Sequence, residues 1–217
     1  KPTTKIPRVD VFEPPRKEDG HEVFSSAKAP LPAFAVTYLA PSVRSKDEPA
    51  LDLADEILSG GQSSRLYQSL VYEQQVAQRA SFDADLREDL GLLTFRVIVA
   101  SGKSLPEAEK SLNDQIENIL KNGVSEAELD KAKNRFLTGK LMERETNNGK
   151  ASALGEAAVI YRDPNHINTD LASYQAVTTS EVKDVLNKYL AGKKKILIEY
   201  LPEAKKEAGK PEDTKKP

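Results

Sequence analysis

The sequence predicts an α+β domain: an antiparallel-rich mixed sheet of about five or six strands, with helices packed mainly on one face. Three observations predict it. The hydrophobic period switches from helical to two at Val76, and two alternating segments follow around the turn Arg87-Glu88-Asp89, which makes a hairpin. Downstream, three Ser/Thr-x-x-Glu signatures, SLPE, SEAE and TTSE, each open an apolar stripe of helical spacing. Strands and helices never alternate as βαβαβ, so a helix layer on an antiparallel-rich sheet is the best way to bury both apolar faces.

Taken in order, residues 1–20 carry Pro2, Pro7, Pro14 and Pro15 among charged residues. Proline breaks helices and cannot donate to a ladder, so this reads as an extended linker from an upstream domain, and the chain as part of a longer protein. His21–Ala27 is a short edge strand and Ala33–Ala40 an alternating apolar one. Asp47 or Ser45 can cap a helix that carries Pro49 in its first turn and Leu51, Ala54, Ile57 and Leu58 on one face. Gly60-Gly61 stops it, and Ser63-Ser64 can cap a short second helix to about Gln74, with Leu66, Leu70 and Val71 on one face. In the first hairpin strand Gln78, Ala80, Phe82, Ala84 and Leu86 share one face, and Ala77, Arg79, Ser81, Asp83 and Asp85 the other. Leu90–Ala100 returns as a more buried strand.

Ser104 opens a helix with Leu105, Ala108, Leu112, Ile116, Ile119 and Leu120 inward, closed by Asn122-Gly123. Ser125 opens another, with Leu129, Ala132, Phe136 and Leu141 inward, running to about Asn147. Gly149–Tyr161 is an alanine-rich third, Asp163-Pro164-Asn165 a turn, and Asn168–Gln175 a short helix. Thr178 caps a last helix with Val182, Val185, Leu186 and Tyr189 inward, and Lys195–Leu201 is the final strand. Residues 21–201 thus form the domain, and 202–217 a charged tail too poor in apolar surface to order itself.

Composition removes several function classes. Basic and acidic residues nearly cancel, 32 against 34, so there is no concentrated basic field to attract nucleic acid or anionic lipid. No apolar run spans a bilayer and none reads as a signal peptide. The chain has no cysteine, hence no thiol nucleophile and no thiolate metal site. His21-Glu22 begins like HExxH, but Ser25 stands where the second histidine is needed; at His166 the inverted motif fails on Thr169 and Asp170. There is no GxSxG elbow, and the Gly60–Ser64 loop lacks the Gly-Lys-Ser/Thr of a phosphate loop. The pairs Asp83/Asp85 and Glu88/Asp89 read as solvated acids on a strand face and a turn. No catalytic apparatus is visible in the residues alone.

At GGQSSRLYQSLVYEQQVA the sequence resembles the insulinase/pitrilysin-like family of zinc metallopeptidases, specifically the C-terminal, zinc-free domain of one half. A helix ends on Gly-Gly, Ser64-Arg65-Leu66-Tyr67 opens the next, the hairpin follows, and Gly123–Leu129 leads into Ala132-Lys133. The closing helix and strand, Val182–Leu201, match as well. The resemblance implies a clam-half domain beside an upstream zinc-binding domain of the same chain, and a homologous partner half closing with it, as a dimer, around a peptide substrate. It implies zinc in that upstream domain and no cofactor in this one. It also places the family's substrate-binding Arg and Tyr, donors to a carbonyl that becomes an oxyanion, at positions occupied here by Val71 and Gln78. Neither can serve, so the resemblance implies no catalytic, metal-binding or substrate-binding residue in this chain. Function is then that of a non-catalytic domain of a zinc endopeptidase, which shapes the substrate chamber and contacts the partner half. The alternative is a catalytically dead structural or assembly module of the same family. A periplasmic or secreted bacterial setting follows from the resemblance only. An RNA-binding sheet fits poorly, because Phe82 and Phe95 have core-face parity and Asp83 and Asp85 lie opposite.

Overall fold

A computed structural model of the chain describes residues 13–203; most of the expected tail and of the expected linker lie outside them, while Pro202, expected to begin the tail, ends the last strand. Five strands form one mixed sheet: β1 (Gly20–Ser26), β2 (Ala33–Ala40), β3 (Ala77–Asp85), β4 (Gly91–Val99) and β5 (Ile196–Pro202). Their spatial order is β1-β5-β2-β4-β3, antiparallel throughout except for the parallel β1–β5 pair. The helices are α1 (Glu48–Ser59), α2 (Leu105–Asn122), α3 (Glu126–Glu143), α4 (Asn147–Val159), α5 (His166–Ala176) and α6 (Thr179–Leu190), with a short wide-turned helix at Tyr67–Glu73. The predicted α+β class, its antiparallel-rich sheet and its helix layer are all present.

The core lies between the helices and the β2-β4-β3 part of the sheet. Val36, Leu93 and Phe95 meet Leu51, Leu53, Ala54, Leu112 and Leu186, all of them fully buried. The Phe82 and Phe95 rings pack at 4.6 Å between centroids across β3–β4, tilted by 46°, and so belong to the core rather than to any base-stacking surface.

Capping follows the sequence in part. Ser125 and Thr178 make complete capping boxes with Glu128 and Glu181; Ser104 accepts the Glu107 amide, but Glu107 turns its carboxylate to Lys103 at 3.0 Å. At α1, Asp47 occupies the cap position without bonding the helix amides. Its carboxylate accepts instead from Lys188 at 2.5 Å and Tyr189 at 2.6 Å, tying α1 to α6. Burial works to raise the Asp47 pKa, but those two donors outweigh it and hold the carboxyl below its usual range. Leu141 is 54% exposed, contrary to the predicted stripe, because α3 runs past the end of the core. α4 likewise buries only Ala157.

The two edges of the sheet are built differently. At the β3 edge, α1 lies alongside, and two side chains one turn apart cover outward-pointing amides. The Ser59 hydroxyl accepts from the Phe82 N–H, and the Asp55 carboxylate from the Ala84 N–H at 3.1 Å. At the other edge, β1 is exposed from His21 to Ser25, with Val23 and Phe24 each 52% exposed on opposite faces.

Candidate functional site

The segment singled out by the sequence, Ser59–Arg79, forms one continuous feature at the C-terminal end of α1. The Gly60 N–H returns to the Glu56 carbonyl at 2.8 Å; a Cβ on Gly60 would sit 2.3 Å from that oxygen. Gly61 takes φ of +87°, the left-handed region where glycine is unstrained.

What fixes the loop is α3. Glu128, Lys131 and Arg135 lie on one helix face and reach it in turn. Arg65 donates bidentately to Glu128 at 2.5 and 2.7 Å. Lys131 binds the Ser63 carbonyl at 3.1 Å as well as its hydroxyl. Arg135 binds the Gly60 carbonyl and pairs with Glu56 at 2.7 Å. The Arg65 hydrogen bonds, helped by the Ser125 cap, hold the Glu128 carboxyl at about 2 against the upward push of burial. Ser63 therefore receives a lysine rather than capping the next helix, and Ser64 is buried; the predicted Ser63-Ser64 cap is replaced by this clamp.

The short helix is wound wider than an α-helix: the Gln74 N–H reaches back five residues to the Ser69 carbonyl at 3.0 Å. Leu66 and Leu70 plug the core. The Gln74 amide bridges to α2, donating to the Ser69 hydroxyl at 2.8 Å and accepting from Ser111 at 2.7 Å. Gln75 then takes φ of +53°, uncommon for a residue with a side chain, as the chain turns into β3.

Val71 is half-buried and packs against the core. Gln78 is exposed at a β-bulge between Ala77 and Arg79, where the strand loses register with β4. The bulge corrects the predicted alternation: Ala77 is buried and Gln78 turned out, while Phe82 keeps its core side. Val71 and Gln78 thus have different environments and form no donor pair.

The remaining sequence candidates sit apart. His21, on β1, pairs with Glu199 at 3.1 Å, and His166, at the start of α5, stacks on Tyr161 at 3.8 Å between ring centres. Asp85 is taken by Arg87 at 2.6 Å and Glu88 by Arg44 at 3.2 Å. Among the described residues no three His, Cys, Asp or Glu side chains gather so as to hold a metal ion.

Two features escaped sequence reasoning. On α1, Glu48 and Asp52 accept from Tyr161 and Tyr174, the latter at 2.8 Å, which fastens α1 to the α4–α5 corner. Burial raises Glu48 to about 7 and Asp52 to about 6, and it raises Asp55 to about 7 beside β3. Burial and the facing carboxylates likewise raise both tyrosines, so the hydroxyls remain donors. The spacing i, i+4 of Glu48 and Asp52 was the available signal. Their partners, 113 and 122 residues away, could not be read from it. The second feature is an open groove of about 410 Å³ on the sheet face away from the helices, floored by Ala33, Ala35, Ile98, Ile198 and Tyr200 and flanked by Arg79 and Arg96.

With this geometry in view, residues 1–136 match the family model for the peptidase M16 inactive domain. An uncharacterized zinc protease of Mycobacterium tuberculosis (strain ATCC 25618 / H37Rv) is 27% identical over 142 residues, 65% of this chain and 32% of that protein. A protease from Helicobacter pylori superposes with a TM-score of 0.85 at 21% identity, over 92% of this chain and 48% of that one. A peptidase M16 inactive domain from Pseudomonas fluorescens does so with 0.76 at 19% identity, over 91% and 47%. These last two likenesses concern the fold. The chain spans about a third of the mycobacterial protein and about half of the Helicobacter chain. The Gly-Gly stop, the clamped Ser-Arg-Leu-Tyr start and the hairpin all lie within the matched stretch, and the chain belongs to the insulinase-like peptidase M16 family as its inactive C-terminal domain.

Proposed function

We propose that this domain serves a zinc endopeptidase as a non-catalytic half-partner: it packs against an upstream zinc-binding domain, shapes the chamber that receives a peptide, and contacts a homologous partner half. One observation carries the reading. The family's fingerprint segment is intact and locked by α3, yet Val71 packs inward and Gln78 stands at a bulge, so the segment is built as scaffold without the carbonyl-binding donors. The apolar groove floored by Ile98, Ile198 and Tyr200 supports packing against another domain, since so large an open apolar sheet face favours cover. His21 and His166 do not fit a zinc site, because each sits with its own partner on a separate element. Catalytic zinc is assigned to another part of the protein.

The purified 217-residue chain should contain no stoichiometric zinc by elemental analysis and should cleave no quenched fluorescent peptide. Either activity or one bound zinc per chain overturns the proposal.

A further inference from the structure

We propose that the β1 edge is a self-association surface, on which a second copy of this chain pairs its own β1 antiparallel about a two-fold axis through Val23. The inference stands apart from the peptidase reading, because it uses main-chain groups of an edge strand and no property of a chamber.

The ladder decides which groups are free. Gly20 N–H donates to the Lys195 carbonyl at 2.8 Å, and the Ser26 carbonyl accepts from Glu203 at 3.1 Å. In a parallel pair, alternate residues turn both main-chain groups to the same neighbour. Gly20, Glu22, Phe24 and Ser26 therefore face β5, and the N–H and C=O of His21, Val23 and Ser25 face outward. Among the described residues those outward groups have no protein partner.

The molecule guards its other edge. Ser59 and Asp55 take the outward amides of Phe82 and Ala84, as natural sheets do to prevent unwanted pairing. β1 carries one exposed charge, Glu22, but no lysine, proline or bulge, and among the described residues no helix lies alongside it. It presents instead an apolar residue on each face, Val23 on the helix side and Phe24 beside Tyr200 on the other. Parallel strand pairs are normally covered on both faces, which makes a bare β1–β5 ribbon an unfinished surface.

The occupant follows from complementarity. A hydrogen-bonded antiparallel pair needs two outward-facing residues opposite each other. Centring the axis on Val23 sets Val23 against Val23 of the second copy and His21 against Ser25 of the second copy, so every outward group finds a partner. Glu22 then lies opposite Phe24 of the second copy, and no like charges face each other. Moving the axis by one residue leaves Ser25 facing Asp19, beyond the strand start at Gly20. Such an isologous contact closes as a dimer with a continuous sheet across it.

The chain lacks cysteine, which makes the test direct. Sedimentation of the intact chain at high micromolar concentration should give twice the 23.9 kDa mass, and Val23→Lys, which sets two ammonium groups opposite each other, should weaken association at least about tenfold with an unchanged circular dichroism spectrum. Opposed residues of a hydrogen-bonded antiparallel pair lie about 5.5 Å apart at Cα, inside the roughly 4.4–6.8 Å range of disulfides. Val23→Cys should therefore oxidise to a covalent dimer, while Glu22→Cys, opposite Phe24, should not. A chain that stays monomeric, a dimer indifferent to Val23→Lys, or cross-linking as fast at position 22 as at 23 would each overturn the proposal. Zinc content and peptide turnover play no part in these readings, so failure here is separable from failure of the peptidase proposal.

Discussion

The two edges of this sheet were given the same problem and received opposite answers. β3 and β1 both end a five-stranded ladder with outward amides and carbonyls. At β3, α1 lies alongside, Phe82 is sunk in the core against Phe95, and Ser59 and Asp55 close two amides. At β1 no helix lies alongside among the described residues, and both Val23 and Phe24 stand half in solvent. An edge is thus protected where its helix layer extends, and left available where the layer stops.

The sharpest contrast lies in ring deletion. Phe82→Ala removes a buried ring with its aromatic partner and should cost about 3–5 kcal/mol, whereas Phe24→Ala at β1 should stay within about 1 kcal/mol under conditions where the chain is monomeric. Urea unfolding of both variants measures the difference; equal losses would break the comparison.

The guard at β3 also titrates. Asp55 is held at about 7 by burial first, then by the nearby Asp83, Asp52 and Glu56, and Glu48 and Asp52 are raised on the same helix. A carboxyl raised in the fold binds its proton more tightly there than when unfolded. Its contribution is complete below the unfolded value near 4 and is lost as pH climbs through about 6 to 7. Glu128, held near 2, works the other way at the acid end. Thermal melts should therefore peak near pH 5 and decline towards pH 8. Glu48→Gln should flatten that decline by on the order of 1–2 kcal/mol after solvent screening. A melting temperature that rises from pH 5 to pH 8 would contradict the buried placement of this helix face.

The smallest effect tests the edge cap itself. Ser59→Ala leaves the Phe82 amide unpaired at the edge, worth about 1 kcal/mol, and should speed hydrogen exchange there selectively. No comparable exchange protection is expected at the Val23 amide of a monomer.

Much of this fold was legible because its signals are local. The Ser125 and Thr178 boxes, the Gly60-Gly61 stop and the change of period at Val76 need only neighbours within a turn or a pleat. The misses share the opposite property. The bulge that turns Gln78 outward, the lysine that takes Ser63, and the tyrosines that bond the buried acids of α1 all depend on partners brought together by the fold. Asp47 shows the competition plainly: a good capping residue was drawn away by Lys188 and Tyr189, more than 140 positions later. At the fingerprint the residue identities were readable, including Val71 and Gln78. The clamp from α3 was not, since Glu128, Lys131 and Arg135 also read as an ordinary solvated helix face.

The position of β5 carries a consequence for the life of the chain before it is folded. Among the described strands the last in chain order, β5, inserts between the first two, so β1 and β2 have no contact ladder of their own and must wait for it. During synthesis, at about 5–20 residues per second, β2 and β1 remain unpaired on this side for roughly ten seconds or more after they emerge. The pairing spans some of the longest separations in the chain, with His21 meeting Glu199 across 178 positions, and such closures slow folding. A nascent or truncated chain lacking Ile196–Pro202 would present the flank of β2 to its surroundings and leave β1 unattached. Completion of this domain is thus timed by β5, and the newborn sheet keeps a sticky flank on β1 and β2 until that strand has been made.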